Sequence, residues 1–458
     1  MKVNLKNKRI SIIGAGRSGI AAALKIQLLE GVPFLSEAKP LNELNLLEGI
    51  IANFEYEAGG HSERILEADL IIVSPGVSPH IPLLKKADQK GIPVWSEIEL
   101  GYRLINRDYT KIIAVTGSNG KSTVVSLIYH ILNQAGEKVL LAGNIGKPLT
   151  GFPIEDNIFR FIVLELSSFQ LEKIHEFRPH ISVLLNITPD HLNRYKDFSE
   201  YVQAKSRILM NQGDGDLAIL NYDDPECRYL ADQTSVQKEF YSVTSEVNPY
   251  IHLRGRELHF NLPQQLPYKI PLESLPLRGR HNIGNLSAAS LVGWACGITV
   301  DNIVAGILSF RPLEHRLEQV TKINNVTLIN DSKATNSNAV LVAVQSFDAP
   351  LHLIMGGSDK NEDFHFLIPY FKKNVKSLTV YGETKKVLYD TFANYVPTYI
   401  VEDLSEAVEM AFSKAKQGEY VLFSPGCASF DMFANFEERG KAFKQLVSKL
   451  KQDYGYKK

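Results

Sequence analysis

Short runs of aliphatic and β-branched residues recur along the chain, and each is followed by a turn and then by a stretch with helical spacing. The runs read RISIIGAG, LIIVSPG, KIIAVTGSNG, FIVLELSS, ISVLLNIT, LHLIMGG, SLTVYG and YVLFSPG. Continuous apolar runs of this kind are typical of strands buried on both faces, as in parallel sheets covered by helices. The pattern therefore predicts an α/β protein built from right-handed βαβ units.

The alternation of strands and helices restarts twice along the chain, which predicts three domains spanning residues 1–107, 108–310 and 311–458. A chain of 458 residues fits this number at about 150 residues per domain. The stretch from about Gln237 to Pro276 interrupts the alternation with strand-like pieces such as YIHLRGRELHF. We predict extra antiparallel strands there, inside the central domain.

Composition narrows the class of protein. Hydrophobic residues make up 44% of the chain, charged residues 22%, and the net charge is −1, so neither disorder nor nucleic-acid binding is indicated. The three cysteines lie far apart and form no zinc or disulfide pattern. The basic N-terminus runs directly into the first strand without the apolar core of a signal peptide, and no apolar stretch is long enough to span a membrane. We expect a cytoplasmic protein with no stable membrane insertion.

A phosphate-binding loop follows the strand KIIAV. Its residues are Gly117, Ser118, Asn119, Gly120, Lys121, Ser122 and Thr123. Glycines let the backbone N–H groups face phosphate oxygens, Lys121 can reach the β- and γ-phosphates, and a hydroxyl can coordinate Mg²⁺. The spacing is GxxGKS rather than GxxxxGK[ST], since Val115 stands where that motif has its first glycine. The simpler alternative is a glycine turn with an exposed lysine; the strand before the loop and the helix after it favour an ATP site.

Polar side chains at the ends of two further strands are candidate metal ligands. The alternative for Glu165 is a surface carboxylate at a strand end, and the alternative for His191 is a structural or exposed side chain. Glu165 ends the strand FIVLE, and a buried carboxylate is costly unless it is paired or binds a cation. The strand ISVLLNIT delivers Asn186, Asp190 and His191 to the same kind of position. Lys205 lies in the helical stretch FSEYVQAKSRILM, where a lysine is ordinarily a solvated surface residue.

A second glycine motif lies in the first domain, after the strand RISII. It comprises Gly14, Gly16, Arg17, Ser18 and Gly19, with Glu37 about 20 residues further on. This spacing satisfies the dinucleotide fingerprint, and alone it would suggest an NAD-dependent dehydrogenase. The same loop can bind any diphosphate. The turn Ser74-Pro75-Gly76 is expected to contribute to the same pocket.

The segments TGSNGKST, ELSSFQ, NITPDH, RGRHNIGN and NDSKATN together resemble the Mur ligase family of ATP-driven amide-bond ligases, over nearly the whole chain. The resemblance implies Rossmann-like first and third domains around a P-loop-type ATPase domain. It also implies ATP and two Mg²⁺ ions as cofactors, with Lys205 N-carboxylated. The implied metal ligands are Ser122, Glu165, His191 and Lys205, and the implied catalytic residues are Lys121, Asn144, His191, Lys205 and Arg316.

The resemblance assigns the remaining contacts as well. The nucleotide-binding residues it implies, besides the phosphate loop, are Asn282, Asn285 and Asp331. The glycine motif, Glu37 and the Ser74 turn would bind the UDP part of the substrate. The segment NDSKATN resembles the members that add D-glutamate to UDP-N-acetylmuramoyl-L-alanine through an acyl phosphate. Residues implied to hold D-glutamate are Lys333, Thr335, Lys360, Ser429 and Phe436. A monomer is expected.

Three alternative functions remain open from the residues. One is a ligase of the same superfamily that adds a different amino acid or acts on folate, which NDSKATN and SPGCASFDMF argue against. Another is an NAD-dependent oxidoreductase, which leaves the GSNGKST loop and Glu165 without a role. The last is a non-catalytic ATP-binding regulator or scaffold, which would bind ATP without substrate-dependent release of phosphate.

Overall fold

The computed structural model describes residues 3–40, 43, 53–190, 194–245, 250–277, 279–312, 314–347, 349–359 and 362–455. The contacts between these residues divide the chain into two compact units. Unit 1 comprises the described residues of Met1–Leu275 together with Ile283–Phe310, and unit 2 those of Pro276–Asn282 and Arg311–Lys458. The α/β class predicted from the sequence is confirmed.

Each of the eight predicted apolar runs forms a strand, and the described residues contain twelve further strands. The strands are β1 (Arg9–Ile13), β2 (Val32–Glu37), β3 (Glu55–Ala58), β4 (Leu70–Val73), β5 (Val94–Ser96), β6 (Lys111–Thr116), β7 (Val139–Gly143), β8 (Phe161–Glu165), β9 (Ile181–Leu184), β10 (Leu217–Asn221), β11 (Gln237–Tyr241), β12 (Ile251–Arg254), β13 (Glu257–Phe260), β14 (Tyr268–Pro271), β15 (Glu318–Ile323), β16 (Val326–Asn330), β17 (Leu351–Gly356), β18 (Val375–Tyr381), β19 (Thr398–Ile400) and β20 (Tyr420–Phe423).

Helices connect most of these strands. They are α1 (Arg17–Leu28), α2 (Pro82–Gln89), α3 (Glu97–Leu104), α4 (Lys121–Gln134), α5 (Ser168–Leu171), α6 (Phe198–Ser206), α7 (Pro225–Asp232), α8 (Arg280–Ala295), α9 (Val300–Ser309), α10 (Ser337–Gln345), α11 (Ile368–Asn374), α12 (Lys385–Phe392), α13 (Leu404–Lys414) and α14 (Phe436–Gly455). Among the described residues, no helix is both long enough and apolar enough to cross a membrane.

Two parallel sheets in unit 1 place the two glycine loops. One sheet has the order β3-β2-β1-β4-β5 and the other the order β11-β10-β9-β6-β8-β7. In each sheet the strand order reverses at the strand that precedes a glycine loop, β1 or β6. The chain first forms the strands on one side of that strand and then those on its other side. The crevice outside the carboxyl end of such a strand is where open α/β sheets bind ligands, so strand order itself directs both loops to binding positions.

The region between the central sheet and α8 partly corrects the sequence prediction. β12, β13 and β14 form the expected antiparallel sheet. β11, however, pairs in parallel with β10 and extends the central sheet. Its sequence QKEFY begins with three polar residues, as an edge strand can, and so lacks the continuous apolar run that marks the buried parallel strands.

The described strands of unit 2 form a mixed sheet in the order β15-β16-β20-β17-β18-β19. Only β15 and β16 pair antiparallel, and the other pairs are parallel. The strands β16, β20 and β17 are direct neighbours, so the segments that follow them emerge at one edge of the sheet. That edge carries most of the residues predicted to bind D-glutamate.

Buried charged groups join the first two predicted domains within unit 1. Glu97 accepts hydrogen bonds from the backbone N–H and the hydroxyl of Thr150, at 2.6 and 2.7 Å. Glu99 accepts three backbone N–H groups at residues 175–177. Buried Lys25 bonds both carboxylate oxygens of Glu155, at 2.9 and 3.0 Å. These contacts explain why two predicted domains form one compact unit; the boundaries at 107 and 310 stay predictions.

Candidate active site

The phosphate loop connects the end of β6 to the start of α4. Gly120 adopts φ +88°, and a Cβ there would lie 2.7 Å from Asn285 Oδ1, so only glycine fits without strain. The backbone N–H groups of Ser118 and Asn119 donate to Asn186, to its carbonyl and its side-chain oxygen respectively, both at 2.8 Å. These bonds fix the shape of the loop. The first turn of α4 follows at once, with Ser122 and Thr123 both buried.

Two lysine side chains surround the carbonyl oxygen of Gly117. Lys121 Nζ donates to Gly117 O at 2.7 Å and to Ser118 O at 2.9 Å. Lys205 Nζ donates to Gly117 O at 2.9 Å. The positive charge of Lys121 therefore lies at the loop, where a phosphate would bind, with a second amine beside it.

Lys205 is not the solvated lysine that its helical sequence suggested. Its side chain is 1% exposed, and its Nζ lies 4.8 Å from the centre of the Tyr201 ring. Burial, and secondly the charge of Lys121, lower the pKa of Lys205 well below its usual range. A buried amine with a lowered pKa spends more time neutral and is a better nucleophile.

Glu165 ends β8 in register with Val115 of β6 and is 3% exposed. Its Oε1 accepts a hydrogen bond from Asn144 Nδ2 at 2.9 Å, and its carbonyl accepts the Asn144 backbone N–H at 2.8 Å. Its Oε2 is buried and has no hydrogen-bond partner among the described residues. A buried carboxylate oxygen without a donor is costly, so its position fits a bound cation.

The rest of the predicted metal site is only partly described. His191 lies outside the described residues. Within the described part of the chain, no group of three or more His, Cys, Asp or Glu residues could hold a metal. Among the predicted ligands, the fit to Mg²⁺ therefore rests on Glu165 and on Ser122, whose hydroxyl lies in the first turn of α4. Oxygen ligands of this kind, completed by phosphate and water, suit Mg²⁺.

Sequence reasoning missed Tyr201 as a part of this site. Its hydroxyl lies 3.0 Å from Ser118 Oγ, and Ser118 Oγ in turn exchanges 3.0 Å hydrogen bonds with the backbone N–H and carbonyl of Thr188. Burial raises the pKa of the Tyr201 phenol. A sequence signal existed, because Tyr201 and Lys205 are four residues apart and lie on one face of α6.

The glycine loop of the first domain packs tightly against the turn at Ser74. Ser74 Oγ donates to Gly14 O at 2.8 Å. A Cβ at Gly14 would lie 2.9 Å from Ser74 Cβ, and one at Gly19 would collide with the Gly14 carbonyl oxygen. A Cβ at Gly16, in contrast, would meet nothing within 4 Å. Two glycines are thus required by packing, and the third faces open space.

The other predicted substrate residues of the first domain border this loop. Glu37 Oε2 accepts the Ala15 backbone N–H at 2.7 Å, and its Oε1 accepts the Lys39 N–H at 3.0 Å. Glu37 therefore braces the loop from the end of β2. The remaining members are accessible: Arg17 and Gly76 are exposed, and Ser18 and Pro75 are half-buried.

In unit 2, Asp331 lies directly after β16 and is buried. Its carboxylate accepts Ser424 Oγ at 2.8 Å and the Leu317 backbone N–H at 3.1 Å. Burial raises the pKa of Asp331 to about 7, although these bonds and the charge of half-buried Arg316 oppose the rise. The sequence predicts a nucleotide-binding role for Asp331 and a catalytic role for Arg316. It did not indicate Ser424, which follows the neighbouring strand β20.

The described members of the predicted D-glutamate site share this edge of the sheet. Lys333 Nζ lies 5.2 Å from the centre of the half-buried Phe436 ring, Thr335 is half-buried and Ser429 is buried. Lys360 lies outside the described residues. The segments converge on buried Arg439, a residue that sequence reasoning missed. Its guanidinium donates to the carbonyls of Ser332, Cys427 and Ala428 at 2.9, 3.0 and 3.0 Å.

The two asparagines predicted to lie near ATP are both buried in the first turns of α8. Asn285 Oδ1 faces Gly120 of the phosphate loop. The Asn282 backbone N–H donates to Gly279 O at 3.0 Å, which caps the start of the helix.

Comparisons with known proteins add to this geometry. Three family models match the chain in order: the MurD N-terminal domain at residues 9–83, the Mur ligase middle domain at 115–293, and the Mur ligase glutamate ligase domain at 315–427. The UDP-N-acetylmuramoylalanine–D-glutamate ligase of Clostridioides difficile is 36% identical over 454 residues, covering 98% of this chain and 100% of that protein. The corresponding ligase of Koribacter versatilis is 38% identical over 451 residues, covering 98% and 99%.

Solved structures agree on the fold. The UDP-N-acetylmuramate–alanine ligase of Thermotoga maritima gives a TM-score of 0.60 at 17% identity, covering 96% of this chain and 99% of that one. MurF from Acinetobacter baumannii gives 0.60 at 18% identity, covering 96% and 94%. These identities support the fold alone. The full-length identity to the curated relatives goes further, and with the three family matches it shows that the chain belongs to the Mur ligase family.

Proposed function

We propose that this protein joins D-glutamate to UDP-N-acetylmuramoyl-L-alanine, with cleavage of ATP to ADP and phosphate, as a step in making peptidoglycan precursors. The observation that carries the proposal is the similarity over 98% of the chain to relatives named as D-glutamate ligases. The match to the MurD N-terminal domain supports the same assignment. As in those relatives, the product is an amide between an acid and a D-amino acid.

The reaction proceeds in two transfers. A carboxylate oxygen of the L-alanyl group attacks the γ-phosphorus of ATP, and the bond from that phosphorus to ADP breaks. The amine nitrogen of D-glutamate then attacks the acyl carbon of the resulting acyl phosphate. Inorganic phosphate leaves, and the amine gives up a proton as the amide forms. Both steps develop negative charge on phosphate oxygens, so fixed positive charge is the protein's main contribution.

Lys121 supplies that charge at the phosphate loop. Its ammonium already lies beside the loop carbonyls of Gly117 and Ser118, so it can reach phosphate oxygens bound over the start of α4. Arg316, Asp331, Asn282 and Asn285 complete the nucleotide contacts in the proposal. Asn144 orients the acyl end of the sugar nucleotide, and its side chain is held in place by Glu165.

Two Mg²⁺ ions, when bound, would neutralise phosphate charge and polarise the reacting oxygens. Ser122 and Glu165 would hold them together with His191 and Lys205. The support within the described residues is the buried Glu165 oxygen that has no donor there.

Lys205 would serve as a metal ligand after reaction with CO₂. Its neutral amine attacks the carbon of CO₂, a new N–C bond forms, and loss of one proton leaves a carbamate anion. The burial of the amine and its lowered pKa support this step, since a protonated lysine cannot attack. The carbamate changes the residue from a cation into an oxygen ligand.

The two ends of the ligation are held by separate sets of residues. The loop of Gly14, Gly16, Arg17, Ser18 and Gly19, with Glu37 and the turn Ser74-Pro75-Gly76, binds the UDP moiety. Lys333, Thr335, Lys360, Ser429 and Phe436 bind D-glutamate, because a dicarboxylate needs cationic and hydroxyl partners. We expect the enzyme to act as a monomer in the cytoplasm.

Phosphate release tests the proposal. The purified protein is given ATP, Mg²⁺ and UDP-N-acetylmuramoyl-L-alanine, with D-glutamate compared against L-glutamate, L-alanine and a diamino acid. Release should require the sugar nucleotide and D-glutamate together. Release with a different amino acid would reassign the subfamily, and binding of ATP without any release would favour the scaffold alternative.

A further inference from the structure

Arg194 occupies an unusual position between the first and central predicted domains. Its Nε and Nη2 form a two-pronged ion pair with Glu172, at 3.1 and 2.7 Å. The same Nη2 donates to the carbonyl oxygen of Val77 at 3.0 Å. The guanidinium also lies 4.1 Å from the centre of the Phe169 ring. One side chain thus binds a carboxylate, an aromatic face and a backbone carbonyl of another domain.

The ion pair is well shielded from water. The side chain of Arg194 is 13% exposed and that of Glu172 is 11% exposed. Tyr195 adds a hydrogen bond from its hydroxyl to Glu172 Oε1 at 2.8 Å. A two-pronged pair held at low exposure has a defined geometry, unlike a surface ion pair that fluctuates. The contact to Val77 therefore has a fixed length and direction.

Val77 is connected to the glycine loop at Gly14, which is proposed to bind UDP and is called the UDP loop below. The Val77 backbone N–H donates to Ser74 O at 3.0 Å, and Ser74 Oγ donates to Gly14 O. The Val77 side chain also packs against the glycine loop, because a Cβ at Gly14 would lie 3.0 Å from Val77 Cγ2. A displacement of Val77 would be passed to the glycine loop through these contacts.

Glu172, the ion-pair partner of Arg194, is connected to the strand end that is proposed to lie near the reacting carboxylate of the substrate. Glu172 directly follows α5, the short helix after β8, and β8 ends with Glu165. Arg194 itself lies three residues after His191 in the chain. The segment that follows the Glu165 strand therefore meets the guanidinium that holds Val77.

We propose that Arg194 is a positioning residue for the sugar-nucleotide substrate: through Val77 it sets the UDP loop of the first domain relative to the strand-end loops of the central domain. The inference rests on the proposed function, in which the nucleoside diphosphate occupies one of these loops and the distal carboxylate the other. Arg194 itself need not touch the substrate. Its effect is to keep the two binding positions at a fixed separation, and an error of about 1 Å in such a separation can cost on the order of a hundredfold in rate.

The variant Arg194→Lys tests this. Lysine keeps the positive charge, but its ammonium cannot form the planar fork with Glu172 and hold the Val77 carbonyl at once. We expect KM for the sugar nucleotide to rise about tenfold, while KM for ATP, KM for D-glutamate and the melting temperature change little. Glu172→Gln, which weakens the fork from its other end, should raise the same KM in the same direction by a smaller factor.

Arg160→Lys is the matched control. Arg160 also pairs with a glutamate, Glu137, and lies over a phenylalanine ring, Phe161, in the same predicted domain. Its contacts reach neither the Ser74 turn nor residue 194, and its side chain is 58% exposed. This variant should leave all three KM values unchanged.

Binding of the sugar nucleotide without ATP, measured calorimetrically, separates the possible failures. If the wild type binds the sugar nucleotide but shows no turnover, the proposed function is overturned. The role of Arg194 is then still tested by comparing the dissociation constant of the sugar nucleotide in the wild type and in Arg194→Lys. An Arg194→Lys variant with wild-type affinity and KM, or with all three KM values raised equally and a lowered melting temperature, would overturn the positioning role. If the wild type does not bind the sugar nucleotide at all, both proposals fail.

Discussion

The two glycine loops of unit 1 have the same backbone plan but different side-chain surroundings. Both follow a buried parallel strand at a position where the strand order reverses, and both precede a helix. The loop at Gly14 is braced by an acid, because Glu37 accepts the Ala15 N–H. The loop at Gly117 is surrounded by two lysine amines, Lys121 and Lys205. In the proposed function both loops bind a diphosphate, and the neighbouring side chains differ between a loop that holds a substrate and one that takes part in phosphoryl transfer.

The largest effect is expected from removing the charge at the second loop. Lys121→Ala should lower kcat by about 10²- to 10³-fold, because no other group replaces its contact with the phosphate oxygens in the transition state. Phosphate release with saturating substrates measures it. Lys138→Ala, at an exposed lysine in the same predicted domain, is the control and should keep wild-type activity. An equal loss in both variants would show that the effect is not local to the loop.

The two loops are held in one unit by buried carboxylates, and Glu97 gives this junction a pH dependence. Burial raises the pKa of Glu97 to about 7 from an ordinary value of 4.5. The carboxyl group of Glu97 therefore binds its proton more tightly in the folded protein than in the unfolded chain. The stabilisation is fully present below about pH 4.5 and is lost as the pH rises through about 7. The shift corresponds to a loss on the order of 3 kcal/mol.

Glu97→Gln removes this titration and keeps an oxygen that can accept the two bonds from Thr150. We expect the free energy of unfolding of the variant, from urea titrations between pH 4.5 and 8, to decline less with pH than that of the wild type. Glu176→Gln, at a side chain that is 63% exposed, is the control. Parallel pH profiles for wild type and Glu97→Gln would contradict the prediction.

Much of the fold around the two glycine loops could be predicted from the sequence, because it depends on local sequence patterns. The apolar runs before both loops predicted strands, and the glycine spacing predicted the turns. Polar or very short strands were missed, such as EYEA of β3 and TYI of β19, since neither has an apolar run. β11 was predicted as antiparallel for the same reason of edge polarity.

Partners that are distant in sequence could not be predicted. Ser424 reaches Asp331 across 93 residues, and Arg439 reaches Ser332 across 107. Both contacts depend on β20 lying between β16 and β17, and strand order is not written in any local motif. The same holds for Arg194 and Val77, which are 117 residues apart. The burial of Lys205 also needed the fold, because its helix reads as an ordinary surface helix.

Within the first loop, the glycines themselves should behave differently. Gly19→Ala should destabilise unit 1 by about 2 kcal/mol, because the new methyl group collides with the Gly14 carbonyl. Gly16→Ala should leave stability unchanged, since its Cβ meets nothing within 4 Å. If this open space holds the diphosphate, Gly16→Ala should raise KM for the sugar nucleotide about fivefold. Thermal unfolding and steady-state kinetics together check the pair, and equal destabilisation by both substitutions would contradict it.

The smallest effect is expected at Glu37, and it decides whether the acid supports the first loop or competes with its ligand. Glu37→Gln keeps one acceptor oxygen but cannot accept both the Ala15 and Lys39 N–H groups, so one of these two bonds is lost. If Glu37 braces the loop for substrate, KM for the sugar nucleotide should rise about threefold with kcat unchanged, as expected for about 0.7 kcal/mol from one hydrogen bond. Glu67→Gln, at a carboxylate that is 63% exposed, should change neither constant. A lower KM in Glu37→Gln would instead mean that the carboxylate occupies an amide that the diphosphate needs, and the first loop would then differ from the second in requiring an acidic side chain to move before its ligand binds.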